Sequence, residues 1–170
     1  MNKVYLIGLP ASGKTTTAKW LADKLGWKSL DLDELIESET GLSIPEYFAL
    51  NDESKFREVE SGILKNTKSL SQYVISCGGG TAAFYNNMDW MCSHGMTIYL
   101  NTDLSIILSR IEKNSAVRPM FSGLSGEEIK QKLLIILEER AIFYSKSKII
   151  WNKAVPTDML HYAVNQLVAN

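Results

Sequence analysis

The sequence predicts a doubly wound α/β domain, on three observations. Short apolar runs alternate with segments of helical periodicity along the chain. The first apolar run, Val4 to Leu9, opens into a glycine loop and then a helix, the order expected where a parallel sheet meets its ligand. The 170 residues, 45% of them hydrophobic, suit one domain with a substantial core, and no repeat, low-complexity tract or obvious linker divides them.

The elements follow in order. "VYLIGL" (Val4 to Leu9) reads as a buried parallel strand. Ala18, Leu21, Ala22 and Leu25 then repeat at helical spacing, and Gly26 is placed to cap that helix. "WKSLDLD" (Trp27 to Asp33) reads as a second strand ending in acids. Ser43 and Glu46 form a capping box for a short helix, and Phe56, Val59, Ile63 and Leu64 mark a longer one. "YVISC" (Tyr73 to Cys77) is a third strand, closed by Gly78-Gly79-Gly80, and a helix rich in Met and Trp comes after it. "MTIYL" (Met96 to Leu100) is a fourth strand, and Asp103 begins a helix through Ile111. Glu112 to Gly126 is polar and broken by Pro119 and glycines, the pattern of a mobile loop. Ser125 and Glu128 can cap a long helix to about Tyr144, "KIIW" (Lys148 to Trp151) is a fifth strand, and a helix after Pro156 closes the chain.

Charge and cysteine content narrow the function. Eighteen basic and 19 acidic residues leave a net charge of -1, without the basic excess of a nucleic-acid binder. No apolar run approaches membrane-spanning length, and no signal peptide is expected before the first strand. Cys77 and Cys92 have no metal-binding spacing and read as free thiols of a reducing cytoplasm.

"GLPASGKT" matches G-x-x-x-x-G-K-S/T at Gly8, Gly13, Lys14 and Thr15, between a strand and a helix as the pattern requires. Such a loop turns its backbone N–H groups inward as an anion nest, and the following helix adds the positive end of its dipole. The cradle for a nucleoside triphosphate therefore runs through Ala11, Ser12, Gly13, Lys14, Thr15 and Thr16. Lys14 can reach the β- and γ-phosphates, and Thr15 can ligate Mg²⁺. Ala11 stands where related loops often have glycine, which the backbone tolerates if φ stays negative there.

Other clusters carry two readings each. As neighbours of one strand face, Asp31 and Asp33 point the same way, one to hold Mg²⁺ through water and one to take a hydroxyl proton; alternatively they cap the helix "ELIESE". Arg57 and Glu60 are helix neighbours, so Glu60 either steadies the guanidinium for a ligand carboxylate or forms a surface ion pair of small value. Gly78-Gly79-Gly80 either lets a ligand approach the main chain or is a loose turn, and Cys77 beside it reads as a small core residue. Arg118 can close over phosphates or be a solvated loop charge. Arg140, four residues before Tyr144 on the same helix face, can grip a ligand or serve the helix dipole, and Arg110 can be helix surface.

Taken together, "GLPASGKT", "DLD", "FREVE", "GGG", "RPM" and "ERAIFY" resemble, in order and spacing, the shikimate kinase family of small P-loop kinases over nearly the whole chain. The resemblance implies a three-layer α/β/α P-loop kinase fold with a five-stranded parallel sheet, a helical substrate-binding segment (about 33–61) and a lid (about 112–126) in one domain spanning 1–170. It implies transfer of the γ-phosphoryl of ATP to the 3-hydroxyl of shikimate. Asp33 would bind the hydroxyls and act as base, Arg57 and Arg140 would clamp the carboxylate, and Gly79 would contact the substrate through its backbone. Lys14 and Arg118 would serve the ATP phosphates, Thr15 would ligate Mg²⁺ with Asp31 behind a water, and Arg110 and Lys153 would lie by the adenine. A cytoplasmic monomer with a small-molecule substrate and no nucleic-acid or membrane partner is expected. Asp52-Glu53-Ser54-Lys55 before the Phe-Arg pair and Met120-Phe121 in the loop depart from the family pattern, the latter with consequences for lid packing. Another small-molecule P-loop kinase, such as a gluconate or nucleoside monophosphate kinase, is the nearest rival, while a neutral polyol acceptor would give no reason for two carboxylate-clamping arginines. A nucleotide-binding module without catalysis is the other, and it need not retain Lys14, Thr15, Asp33 and Arg118 together.

Overall fold

The structure, a computed structural model, describes residues 2–113, 119–152 and 157–168. Within them lies one sheet of five parallel strands, β1 (Lys3–Ile7), β2 (Lys28–Asp31), β3 (Tyr73–Ser76), β4 (Met96–Asn101) and β5 (Ile149–Asn152), in spatial order β2-β3-β1-β4-β5. The helices are α1 (Lys14–Leu25), α2 (Leu32–Thr40), α3 (Ile44–Leu50), α4 (Glu53–Asn66), α5 (Asn87–His94), α6 (Leu104–Lys113), α7 (Gly126–Tyr144) and α8 (Thr157–Val168). The chain winds to one side of β1 for β2 and β3, then crosses to the other side for β4 and β5. In an open α/β sheet, such a reversal leaves a ligand crevice at the carboxyl ends of the strands.

Alternation along the strands separates two cores. Val4, Leu6, Val74 and Ile98 pack against Ala18 and Leu21 of α1 and Leu160 and Val164 of α8. Tyr5, Ile7, Ile75 and Tyr99 belong to the opposite core, with Ile36 of α2, Leu64 of α4, Met91 of α5, Ile107 of α6 and Leu133 of α7. The fold is therefore three-layered, α/β/α, as expected.

Local chemistry sets the helix ends. Gly26 caps α1 in the left-handed conformation, φ 67°. Ser43 and Glu46 close one capping box and Ser125 and Glu128 another. Two expectations are corrected. The strand "WKSLDLD" stops at Asp31, because the Asp31 side chain accepts from Asp33 N–H at 3.0 Å and starts α2 there. Asp31 and Asp33 are thus a cap and a first-turn residue, not neighbours on one strand face. The helix expected to run through Ile111 continues as α6 to Lys113, and beyond the described end of α6 Phe121 is completely buried with Leu124 packed against the same core. Arg118, Lys153 and Pro156 lie outside the described residues. Among the described residues, no helix is long and apolar enough to cross a membrane.

Candidate active site

The loop between β1 and α1 is shaped by conformations that few residues tolerate. Gly8 (φ 149°) passes so near β4 that a Cβ there would stand 2.9 Å from the Leu100 carbonyl oxygen, and Gly13 (φ 95°) precedes α1 in the left-handed region. Ala11 also adopts φ 60°, so the condition under which an alanine would sit there without strain is not met. The turn is held from outside: Arg110 Nη1 donates to the Ala11 carbonyl at 2.9 Å, and Thr102 Oγ1 donates to the Ser12 carbonyl at 2.9 Å. These bonds fix the loop tightly enough to carry the cost of a left-handed alanine. Lys14 folds over the loop, its Nζ donating to the carbonyls of Gly8 (3.1 Å) and Leu9 (2.9 Å).

Thr15, at the start of α1, donates from Oγ1 to Asp31 Oδ2 at 2.7 Å, and Ser76 Oγ at the end of β3 lies 3.4 Å from the same hydroxyl. These are hard oxygen donors at the foot of the phosphate loop, the ligand chemistry that suits Mg²⁺. Asp31 bears out its capping reading, since its other oxygen caps α2.

Asp33 projects from the first turn of α2 into the cleft, exposed to it but ringed by protein. Its carboxyl is pushed up to about 6, first by loss of bulk water and then by the negative charges of Asp31 and Glu60, with Lys14 and Arg57 opposing. A carboxylate poised there holds its charge at neutral pH yet accepts a proton more readily than an ordinary aspartate.

Arg57 on α4 is fixed on its edges by two carboxylates. Nη1 donates to Glu60 Oε2 at 2.8 Å, while Nε and Nη2 donate to Glu53 Oε1 at 3.2 and 3.0 Å. Glu60 is completely buried and also accepts from Thr81 Oγ1 at 2.6 Å, so the pair is not the surface ion pair of the alternative reading. The three glycines after β3 each yield to a different neighbour. A Cβ on Gly78 would stand 2.8 Å from Glu60 Oε1 and 2.9 Å from Asp33 Oδ1; one on Gly79, 3.1 Å from Pro10 Cγ; one on Gly80, 2.7 Å from Arg57 Nη2. Close approach explains the run, and a loose turn does not.

On α7, Arg140 Nη1 and the Tyr144 hydroxyl both donate to the Gly79 carbonyl at 2.8 Å. Burial pushes the Tyr144 phenol up to about 12, keeping its proton available for that bond. Cys77 is buried with its thiol raised well above the usual range, the behaviour of a core residue.

One cleft of about 1650 Å³ gathers these groups: Lys14, Thr15 and Arg110 share its lining with Asp33, Arg57, Gly79 and Arg140. The volume admits a nucleotide and a second small molecule together. Ala11, Gly13 and Thr16 also line it, and Ser12 is buried in the loop. Sequence reasoning missed Glu53, Thr81 and Phe84. The Glu53 spacing of four from Arg57 was available on helical geometry; nothing in "TAAFYNN" signals that Phe84 reaches Arg57.

Similarity to known proteins identifies the family. The family model described as shikimate kinase matches residues 10–167. A shikimate kinase of Parabacteroides distasonis is 36% identical over 152 residues, 89% of this chain and 88% of the relative. The crystal structure of shikimate kinase from Bacteroides thetaiotaomicron superposes with TM-score 0.91 at 30% identity, covering 99% of both chains. Shikimate kinase from Acinetobacter baumannii, solved in complex with shikimate, gives TM-score 0.86 at 29% identity over 99% of this chain and 93% of that one. With the phosphate loop, Asp31, Asp33 and two half-buried arginines drawn into one cleft, and with relatives matched over nearly their full length, this chain belongs to the shikimate kinase family.

Proposed function

We propose that this chain transfers the γ-phosphoryl group of ATP to the 3-hydroxyl of shikimate, giving shikimate 3-phosphate and ADP. Arg57 and Arg140 grip the acceptor carboxylate with their planar forks, which supply orientation as well as charge. The Gly79 main chain supports the acceptor ring. Asp33 accepts hydrogen bonds from the hydroxyls and takes the proton of the attacking one. That oxygen bonds to the γ-phosphorus as the bond to the β–γ bridging oxygen breaks, and ADP leaves. The loop N–H groups from Ala11 to Thr16 and the Lys14 ammonium stabilise charge on the phosphates, so the chemistry is alignment and electrostatics with no covalent nucleophile.

Thr15 and Asp31 are the residues that would hold Mg²⁺, Asp31 through water; when bound, the ion neutralises phosphate charge. Arg110 lies beside the loop and is assigned to the nucleotide, with Arg118 on the phosphates and Lys153 by the adenine, the latter two outside the described residues. The chain acts as a cytoplasmic monomer and as one kinase domain spanning 1–170. Residues 33–61 form its acceptor-binding segment and 112–126 its lid.

The observation that carries this reading is the shared cleft: two arginines, an aspartate of raised pKa and a phosphate loop line one cavity. The test is ADP release with shikimate as sole acceptor, for wild type and Arg57→Ala. The variant is expected to raise the shikimate KM by about a hundredfold while the ATP KM moves by less than about threefold. Equal rates with gluconate, or a shift confined to the ATP KM, overturns the assignment.

A further inference from the structure

We propose that Phe84 is a positioning residue of the acceptor site: its ring fixes the plane of the Arg57 guanidinium and presets the fork for a planar carboxylate. This rests on the assignment of Arg57 to the acceptor carboxylate.

Phe84 is half-buried and lines the cleft. Its ring centroid lies 4.6 Å from Arg57 Cζ, and that of Phe56 lies 5.1 Å away. The edges of the guanidinium are already held by Glu53 and Glu60. Its faces are weakly hydrated, and aromatic rings grip them by dispersion and quadrupole attraction. A guanidinium held on edges and face has little rotational freedom left to lose when a ligand arrives, which favours binding.

The main chain that delivers Phe84 is strained. Tyr85 and Asn86 follow it at φ 48° and 58°, two consecutive left-handed residues, neither of them glycine. Such backbone persists where its surroundings over-determine it. Here the constraint is Asn87, completely buried: its N–H donates to the Phe84 carbonyl at 2.9 Å, its Nδ2 to the Thr81 carbonyl at 2.9 Å, and its Oδ1 accepts from Ser61 Oγ at 2.7 Å. Thr81 in turn donates to Glu60, which holds Arg57. A hydrogen-bonded circuit thus joins the backbone under Phe84 to the edge of the group its ring covers. A phenylalanine required only for core packing has no need of this circuit, nor of a partly open position beside a charge.

The experiment compares wild type, Phe84→Leu, Phe84→Met and Phe84→Tyr, with thermal unfolding alongside. In both aliphatic variants the shikimate KM is expected to rise about tenfold, with kcat and the ATP KM within about twofold. Phe84→Tyr restores the wild-type KM. In an Arg57→Lys background, where the cation is no longer planar, Phe84→Leu should change the KM by less than about twofold. An unmoved KM in the folded aliphatic variants, a joint fall of kcat with both KM values, or an undiminished effect in the lysine background overturns the proposal. Wild type that fails to phosphorylate shikimate overturns the activity reading and this inference with it; wild-type turnover with any of those three outcomes overturns this inference alone.

Discussion

Glu60 Oε2 accepts a 2.8 Å hydrogen bond from Arg57 Nη1 while the Glu60 side chain is sealed from solvent. A buried carboxylate is tolerated only when its oxygens are matched, and here one faces a guanidinium and the other the Thr81 hydroxyl. Removing it leaves the Thr81 hydroxyl without its acceptor and Arg57 held by Glu53 alone, so Glu60→Ala should destabilise the protein by about 1–3 kcal/mol, read from urea unfolding. Glu60→Gln keeps the shape but loses the charge that aims Arg57, and should raise the shikimate KM about tenfold. A glutamine variant with wild-type KM values removes Glu60 from the clamp.

Ala11 occupies φ 60° in the phosphate loop. An alanine there carries a steric cost of about 1 kcal/mol, offset in part because glycine would loosen the unfolded chain. Ala11→Gly is therefore expected to leave stability unchanged or raise it by less than about 1 kcal/mol, with an ATP KM within about twofold of wild type. A loss of stability larger than that would show that the alanine methyl makes a contact the loop depends on.

The sequence made the strand–loop–helix of the nucleotide cradle legible because the backbone there demands particular residues at fixed offsets, and the same holds for Gly26 and the two capping boxes. It made Arg57 and Glu60 legible through helical spacing. It did not disclose the end of β2, since "LDLD" alternates like a strand and only the Asp31 side chain bonding Asp33 N–H shows that the helix has begun. Nor did it disclose Phe84 or the buried anchor Phe121, whose partners come from other elements and leave no periodic trace. The glycine run was readable as a need for space, but which neighbour fills each space is a tertiary fact.

Gly80 and Gly62 are separated by what an added methyl would meet. At Gly80 it would stand 2.7 Å from Arg57 Nη2, and at Gly62, exposed within α4, nothing lies within 4 Å. Gly80→Ala should displace the guanidinium and raise the shikimate KM at least about tenfold, because small misplacements of a binding group are costly. Gly62→Ala should stabilise by about 0.5–1 kcal/mol through helix propensity, with kinetics unchanged. Kinetics of the two variants that cannot be told apart would mean that the glycine run does not shape the acceptor site.

Asp33 joins the pH dependence of activity to that of stability. Its folded carboxyl is raised from 3.8 to about 6, so it is charged and able to accept a proton only above that range. On the acid side, kcat/KM for shikimate should rise with pH through about 6 and then level. The stability contribution has the opposite sign. Between the unfolded value and about 6 the folded chain holds a proton that the unfolded chain has released, so the stability from this group is present at low pH and lost as pH rises through about 6. Asp33→Asn removes the penalty of confining that charge beside Asp31 and Glu60. At pH 7.5 the variant should unfold at a higher temperature than wild type while kcat falls by about a hundredfold or more. Thermal unfolding from pH 4.5 to 8 checks the sign: the gain over wild type should grow with pH up to about 7 and then hold. A gain that shrinks with rising pH would mean that the charged form of Asp33 is favoured in the fold, the reverse of what its neighbours impose.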